Sequence, residues 1–272
     1  MASTTAGSSS SPSIPNTGNW DPMVCLDEQP TPSCLLRVTR EIADIEDNRL
    51  PGIFVSPEES DVTRIHAVVM GPEGTPYEGG FFHFFIKCPS NYPFVPPRVR
   101  LMTTDAGRVS FNPHLYACGK VCLSILGTWP GPTWTPAHNI RSLLISIQSL
   151  MIDEPFFYDE FSTTCNALST AQYNDRVGHD TVRVAVCDAV EAYLGEEPPY
   201  PPCLVSEILK KFAQSYEKYE ERIEALAELD SARRLSQTLD HTTAYLYEPL
   251  LSRLRQLGQR VKEKIEVDGA RR

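Results

Sequence analysis

Apolar positions set the first element. Leu35, Val38, Ile42 and Ile45 recur every three or four residues, which predicts a short amphipathic helix. Thr31-Pro32 before it supplies a capping residue and a proline suited to the first helical position, and Asn48 to Gly52 ends it. The period then shortens. Ile53 to Ser56, Thr63 to Met70 and Gly80 to Cys88 are β-branched or aromatic runs, read as strands, with Gly71-Pro72-Glu73-Gly74-Thr75-Pro76 as a turn cluster between the last two. Arg98 to Met102 predicts a fourth strand. Pro93, Pro96 and Pro97 break the chain before it, with a cis peptide expected at Pro96 or Pro97.

Helical spacing returns after Thr135-Pro136, which is read as opening a helix. Ile140, Leu143, Leu144, Ile147, Leu150 and Met151 form a stripe that must face a core. More helix is expected near 161–171 and 175–193. Glu196 to Pro202 reads as a proline-rich linker. Beyond it, Ile208, Phe212, Tyr219, Ile223 and Leu226 mark one long helix, and Leu250, Leu254, Leu257, Val261 and Ile265 another, read together as a helical hairpin. The order predicts an α+β fold with an N-terminal helix, a four-stranded antiparallel sheet, C-terminal helices and a helical extension. The expected divisions are a disordered Ser/Thr/Pro-rich tail over 1–30, a core domain over 31–195 and the extension over 196–272.

Composition narrows the function. A net charge of −10 over 272 residues argues against a nucleic-acid binder. No stretch is long and apolar enough to span a membrane, and residues 1–32 lack the basic and apolar regions of a secretory leader. Most of the eight cysteines are therefore expected as free thiols in a reducing compartment, the cytoplasm and nucleus. No C-x-x-C pair occurs. One weak metal pattern, His114, Cys118 and Cys122 at four-residue intervals, leaves a zinc-supported interaction domain as an alternative.

The candidate chemistry lies in Phe111-Asn112-Pro113-His114 through Gly119-Lys120-Val121-Cys122-Leu123-Ser124-Ile125-Leu126, where a cysteine follows a histidine by eight residues. A thiolate is a good nucleophile, although a cysteine taken alone is more often a small core residue. Several segments in register resemble the ubiquitin-conjugating enzyme family. Gly71-Pro72-Glu73-Gly74-Thr75-Pro76-Tyr77-Glu78-Gly79-Gly80 is similar to its hairpin motif, and Tyr92-Pro93-Phe94-Val95-Pro96-Pro97 to its proline-rich loop. Gly119 to Leu126 is similar to its active-site strip, Trp134-Thr135-Pro136-Ala137 to the entry of its second helix, and Tyr173-Asn174 to a pair near its C-terminal helices. The likeness extends over about residues 31–193. Within the family the chain most resembles a member with a Ser-rich tail and a C-terminal helical extension.

That resemblance implies the ubiquitin-conjugating fold and a cysteine-thioester transferase. Cys122 would take ubiquitin, or a ubiquitin-like protein, from an activating enzyme and pass it to a substrate lysine or a ligase. No cofactor is implied, because ATP is consumed on the activating enzyme. Nor is a metal, a nucleic acid or a membrane. Thioester exchange suggests a mostly exposed sulfur at Cys122, and Cys118 is the rival nucleophile. The family motif His-Pro-Asn is reversed here as Asn112-Pro113-His114. His114 thus occupies the position of the oxyanion-supporting asparagine, which an imidazole N–H could replace, and Asn112 takes a structural place. The reversal keeps a catalytically impaired binding scaffold in view as a second alternative. Ser124 stands where many relatives carry an aspartate gate. Asp159 and Glu160 fall near the acidic group that readies the incoming lysine. Pro93, Phe94, Val95, Pro136 and Ala137 match the loops that ligases grip, and Arg37 and Arg40 would face the activating enzyme.

Overall fold

In the computed structural model, which describes residues 20–152, 167–195, 198, 200–235 and 246–270, the first helix α1 spans Pro32–Asp47. The Thr31 side chain accepts from the Cys34 amide, and Cys34, Val38, Ile42 and Ile45 turn to the core. Strands β1 (Ile53–Pro57), β2 (Arg64–Met70), β3 (Phe81–Lys87) and β4 (Arg98–Leu101) form an antiparallel meander in chain order. β3 is buried at all of its positions. Phe82, Phe84 and Ile86 face a core shared with α1 and the second helix, α2 (Ile140–Gln148). Phe81, with Val68 from β2, faces a second core on the sheet's other side. Lys87, fully buried, donates to Asp61 at 2.7 Å and Thr63 at 2.6 Å.

α2 starts later than predicted. Its cap is Asn139, whose side chain accepts from the Ser142 amide while the Ser142 hydroxyl accepts from the Asn139 amide. This reciprocal pairing satisfies two amides that Thr135 does not reach from its place in the preceding turn. α3 (Ala167–Asp180) runs on through a wider π-helical stretch, Thr181–Asp188, into α4 (Ala189–Leu194). The long helices are α5 (Pro202–Leu235) and α6 (Tyr247–Ala270). Ile208 and Phe212 of α5 and Leu254 and Leu257 of α6 belong to the core on the sheet's second side, so the extension is packed onto the sheet.

One buried carboxylate joins three segments. Glu41 of α1 accepts from the Tyr92 hydroxyl at 2.6 Å, from the Ile140 amide at 2.8 Å, and from Arg37. It ties α1 to the proline-rich loop and to the first turn of α2, where the helix dipole favours negative charge.

Two expectations are corrected. The cis peptide is Tyr92-Pro93, not Pro96 or Pro97. Residues 20–30 are strapped to the sheet rather than free: Asp21 pairs with Arg100, Glu28 accepts from Arg98 at 2.7 Å and from the Ser90 amide at 2.8 Å, and Arg64 donates to the Leu26 carbonyl at 2.8 Å. Three arginines presented by the sheet hold this segment in place.

On the sheet's second face His83 lies under Tyr200, ring centroids 4.6 Å apart, with its Nε2 3.0 Å from His66 Nδ1. Burial, and then His66, push the His83 pKa down to about 3. Folding therefore holds a neutral imidazole that the unfolded chain would protonate, so stability should fall as pH drops from about 6.5 towards 3. Chemical denaturation at pH 7 and pH 5 should differ by roughly 2 kcal/mol from this group, and His83→Asn should flatten that slope.

Candidate active site

The strip that holds Cys122 hangs from the sheet edge. Arg100 of β4 bridges Lys120, and the Leu101 amide donates to the Gly119 carbonyl at 2.8 Å. The strip is a short hairpin. The Cys122 amide donates to the His114 carbonyl at 2.9 Å, Leu115 pairs with Val121, and the Tyr116 amide donates to the Lys120 carbonyl at 3.0 Å. Gly119 closes the turn at φ +90°, and a Cβ there would meet the Leu101 carbonyl oxygen at 2.7 Å, so only glycine fits.

Alternation along the two arms sorts the side chains. Leu115 and Val121 point into the core. His114, Tyr116, Lys120 and Cys122 therefore share the opposite face, with His114 directly across from Cys122 and Tyr116 diagonal to it. Cys118 is exposed near the tip of the turn. Among the described residues, no group of three His, Cys, Asp or Glu side chains converges as a metal site would require.

Asn112 is buried and fully engaged. Its side-chain oxygen accepts from the His114 amide at 2.8 Å, and its Nδ2 donates to the Leu150 carbonyl at 3.0 Å, tying the strip to the end of α2. The Phe111 carbonyl receives two phenols, Tyr77 at 3.1 Å and Tyr173 at 2.7 Å. Past Cys122, the Thr128 hydroxyl donates to the Val121 carbonyl at 2.7 Å and accepts from the Leu123 amide at 3.0 Å, which folds the 127–133 loop back over the strip. Trp129 in that loop meets the His114 ring nearly edge-on, centroids 4.7 Å apart.

These contacts overturn the expectation of an exposed sulfur. Cys122 is only 3% exposed. Burial pushes its thiol pKa up, with Lys120 and a hydrogen bond from Tyr116 pulling the other way. Tyr116, Thr128 and Trp129 are site residues that sequence reasoning missed. Tyr116 was within reach, since it follows His114 by two residues and so shares its face in a strand. Trp129 was not, because its contact depends on how a glycine- and proline-rich loop folds back.

The partner-facing candidates separate. Phe94 is 75% exposed, Pro136 and Ala137 are exposed beside it, and Pro93 and Val95 are half-buried. The two loops are joined by the Trp134 Nε1–H, which donates to the Pro93 carbonyl at 2.8 Å. Arg40 is exposed. Arg37 instead is committed within the fold: besides Glu41, it donates to the carbonyls of Pro136 at 3.2 Å and His138 at 3.1 Å. A buried carboxylate in reach of α1 claims that guanidinium first. Asp159 and Glu160 lie outside the described residues.

Comparison with known proteins gives a consistent picture. The family model described as "Ubiquitin-conjugating enzyme" matches residues 37–179. "Ubiquitin-conjugating enzyme E2 Z" of Homo sapiens is 42% identical over 256 residues, covering 93% of this chain and 71% of that protein. Its namesake in Xenopus tropicalis is 43% identical over 249 residues, covering 90% and 78%. A more distant likeness, 31% over 204 residues, is to the human "Dual E2 ubiquitin-conjugating enzyme/E3 ubiquitin-protein ligase BIRC6", covering 71% of this chain and 4% of that protein.

The Tyr116 hydrogen bond carries a prediction. Tyr116→Phe should slow alkylation of Cys122 at neutral pH by about fivefold, the value of one modest hydrogen bond to a charged atom, and move its pH midpoint upward. Iodoacetamide labelling followed peptide by peptide reads both; an unshifted midpoint would mean the phenol does not stabilise the thiolate.

Proposed function

Since the chain belongs to the ubiquitin-conjugating enzyme family, and is therefore a transferase, we propose that Cys122 is the residue that carries ubiquitin. The observation that supports it is the hairpin register, which sets Cys122, His114, Tyr116 and Lys120 on one face within the region the family model matches.

In this reading the Cys122 thiolate attacks the thioester carbonyl that joins the ubiquitin C-terminus to an activating enzyme. A new C–S bond forms, the tetrahedral oxyanion collapses, and the activating enzyme's thiolate leaves. In the second half a lysine amine attacks the Cys122 thioester, an amide C–N bond forms, Cys122 departs as a thiolate, and the amine's proton passes to solvent. Alternatively, a ligase cysteine takes ubiquitin by a second exchange. Each oxyanion needs a donor. His114 stands opposite Cys122 and is the donor we assign, while Asn112 holds the backbone beneath it. Lys120 lowers the thiol pKa against burial and favours the thiolate in both halves.

Activating enzymes and ligases are the partners that the family implies. Exposed Phe94, set among prolines next to Pro136 and Ala137, suits a ligase anchor, and Arg40 suits the activating enzyme. A ubiquitin-like protein as second cargo, and the reading that this chain itself binds no ATP or metal, belong to the same proposal. A reducing compartment, cytoplasm and nucleus, belongs to the same proposal. Asp159, from the same motif comparison, is retained as a candidate for readying the lysine. The impaired-scaffold alternative gains no favouring observation, since the cysteine is present on a formed catalytic face.

Incubation with activating enzyme, ATP and ubiquitin should give a thiol-sensitive adduct on a non-reducing gel. It should vanish in Cys122→Ala and persist in Cys118→Ala. The reverse pattern would move the nucleophile to the turn. His114→Ala should slow discharge to free lysine by at least about tenfold, more than it slows charging. Equal slowing of both steps would remove His114 from the donor role.

A further inference from the structure

Arg222 lies on α5, beyond the stretch that the family model matches. Its guanidinium donates to three backbone carbonyls of the loop between β2 and β3: Pro76 at 2.7 Å, Glu78 at 3.0 Å and Thr75 at 3.3 Å. Tyr219, one turn earlier, donates to Gly79 at 2.8 Å, and its ring atom lies 2.7 Å from where a Cβ on Gly79 would stand. One face of α5 thus holds four successive or near-successive carbonyls of one short loop.

Burial lowers the Arg222 pKa, with the nearby Glu78 and Tyr219 opposing. A charged group kept this far from water needs its donors filled, and the five-donor fork of an arginine matches several carbonyls at once in a way that a lysine does not. The loop is therefore held in one geometry rather than merely touched.

That loop reaches the reacting centre. Tyr77, fully buried between Pro76 and Glu78, donates to the Phe111 carbonyl at 3.1 Å and interacts with the Asn112 side chain. Asn112 fixes the His114 amide, and the His114 carbonyl receives the Cys122 amide. Tyr77 to Phe111, Asn112 to His114 and His114 to Cys122 are hydrogen bonds between buried groups, where misplacement is costly, and Phe111 and Asn112 are neighbours in the chain.

We propose that Arg222, on the C-terminal extension, is a positioning residue for ubiquitin transfer: it fixes the loop that carries Tyr77, and through Tyr77 the strip that faces Cys122. The proposal rests on Cys122 as the ubiquitin carrier. It makes the extension part of the active-site framework in addition to its packing role. Discharge should feel it most, because that step needs the donor and the thiolate in register with an incoming amine.

The test uses the full chain with Arg222→Gln, Arg222→Lys and, as a control elsewhere in the helical hairpin, Val261→Ala. Charging, single-turnover discharge to free lysine, thermal midpoints, and amide exchange at Leu115 and Cys122 are measured for each. Arg222→Gln should slow discharge by about tenfold with charging changed far less, and should speed exchange at both amides. Arg222→Lys should recover part of both effects. Val261→Ala should lower the thermal midpoint without either. Unchanged discharge and exchange in Arg222→Gln, or slowing in Val261→Ala that follows its thermal loss equally, would overturn the proposal. If the wild-type chain forms no thioester, the carrier reading falls by itself, and amide exchange then decides whether Arg222 positions the strip: faster exchange supports it, unchanged exchange overturns it.

Discussion

β3 has no solvent face. All seven of its residues are buried, including a histidine and a lysine, so the sheet must be covered on both sides. α1 and α2 cover one side. The other is covered by the π-helical stretch, α4, α5 and α6, with Val68 and Phe81 packed among Ile208, Phe212 and Leu254. A core that ended near residue 195 would leave this second face only partly covered, by the π-helical stretch and α4. The extension is thus built into the fold, and the buried polar side chains of β3 find partners nearby: His83 Nε2 against His66, Lys87 against Asp61 and Thr63.

The same two-sided sheet locates the chemistry. β4 offers its outer edge to Lys120 and Gly119, so the hairpin that holds Cys122 inherits the sheet's register rather than setting its own. From Glu41 on α1 to Tyr77 in the loop between β2 and β3, both on the same side of the sheet, the buried hydrogen bonds converge on segments 91–93, 110–115 and 139–140 that frame the strip. Burial of Cys122 follows from that framing. A thiol held protonated and covered is poorly available to oxidants, while Lys120 and Tyr116 pull its pKa back towards the thiolate.

Much of this was legible in the residues. The four strands lie where β-branched and aromatic runs put them, and the α1 cap at Thr31 was readable because a threonine–proline pair has one strong local meaning. Asn139 was harder than Thr135-Pro136 as the start of α2, since its capping box relies on a serine in place of the usual glutamate or glutamine. The site was legible as a motif but not as an environment. Cys122 and His114 stand out by spacing, while the 3% exposure of Cys122 has no local signal, and Arg37 is drawn inward by a carboxylate one turn away whose burial no local pattern announces. Arg222 carries no motif at all; its significance comes from carbonyls about 145 residues earlier in the chain.

The bridge between β4 and the 119–120 turn has one more consequence. An outermost strand normally leaves a row of free amides and carbonyls that can recruit a strand from another molecule. Here the segment that holds Cys122 occupies part of that row, with the strap at residues 20–30 lying alongside. The same few bonds thus hold the strip in place and cover the edge: any change that frees the hairpin from the sheet also uncovers a template for self-association.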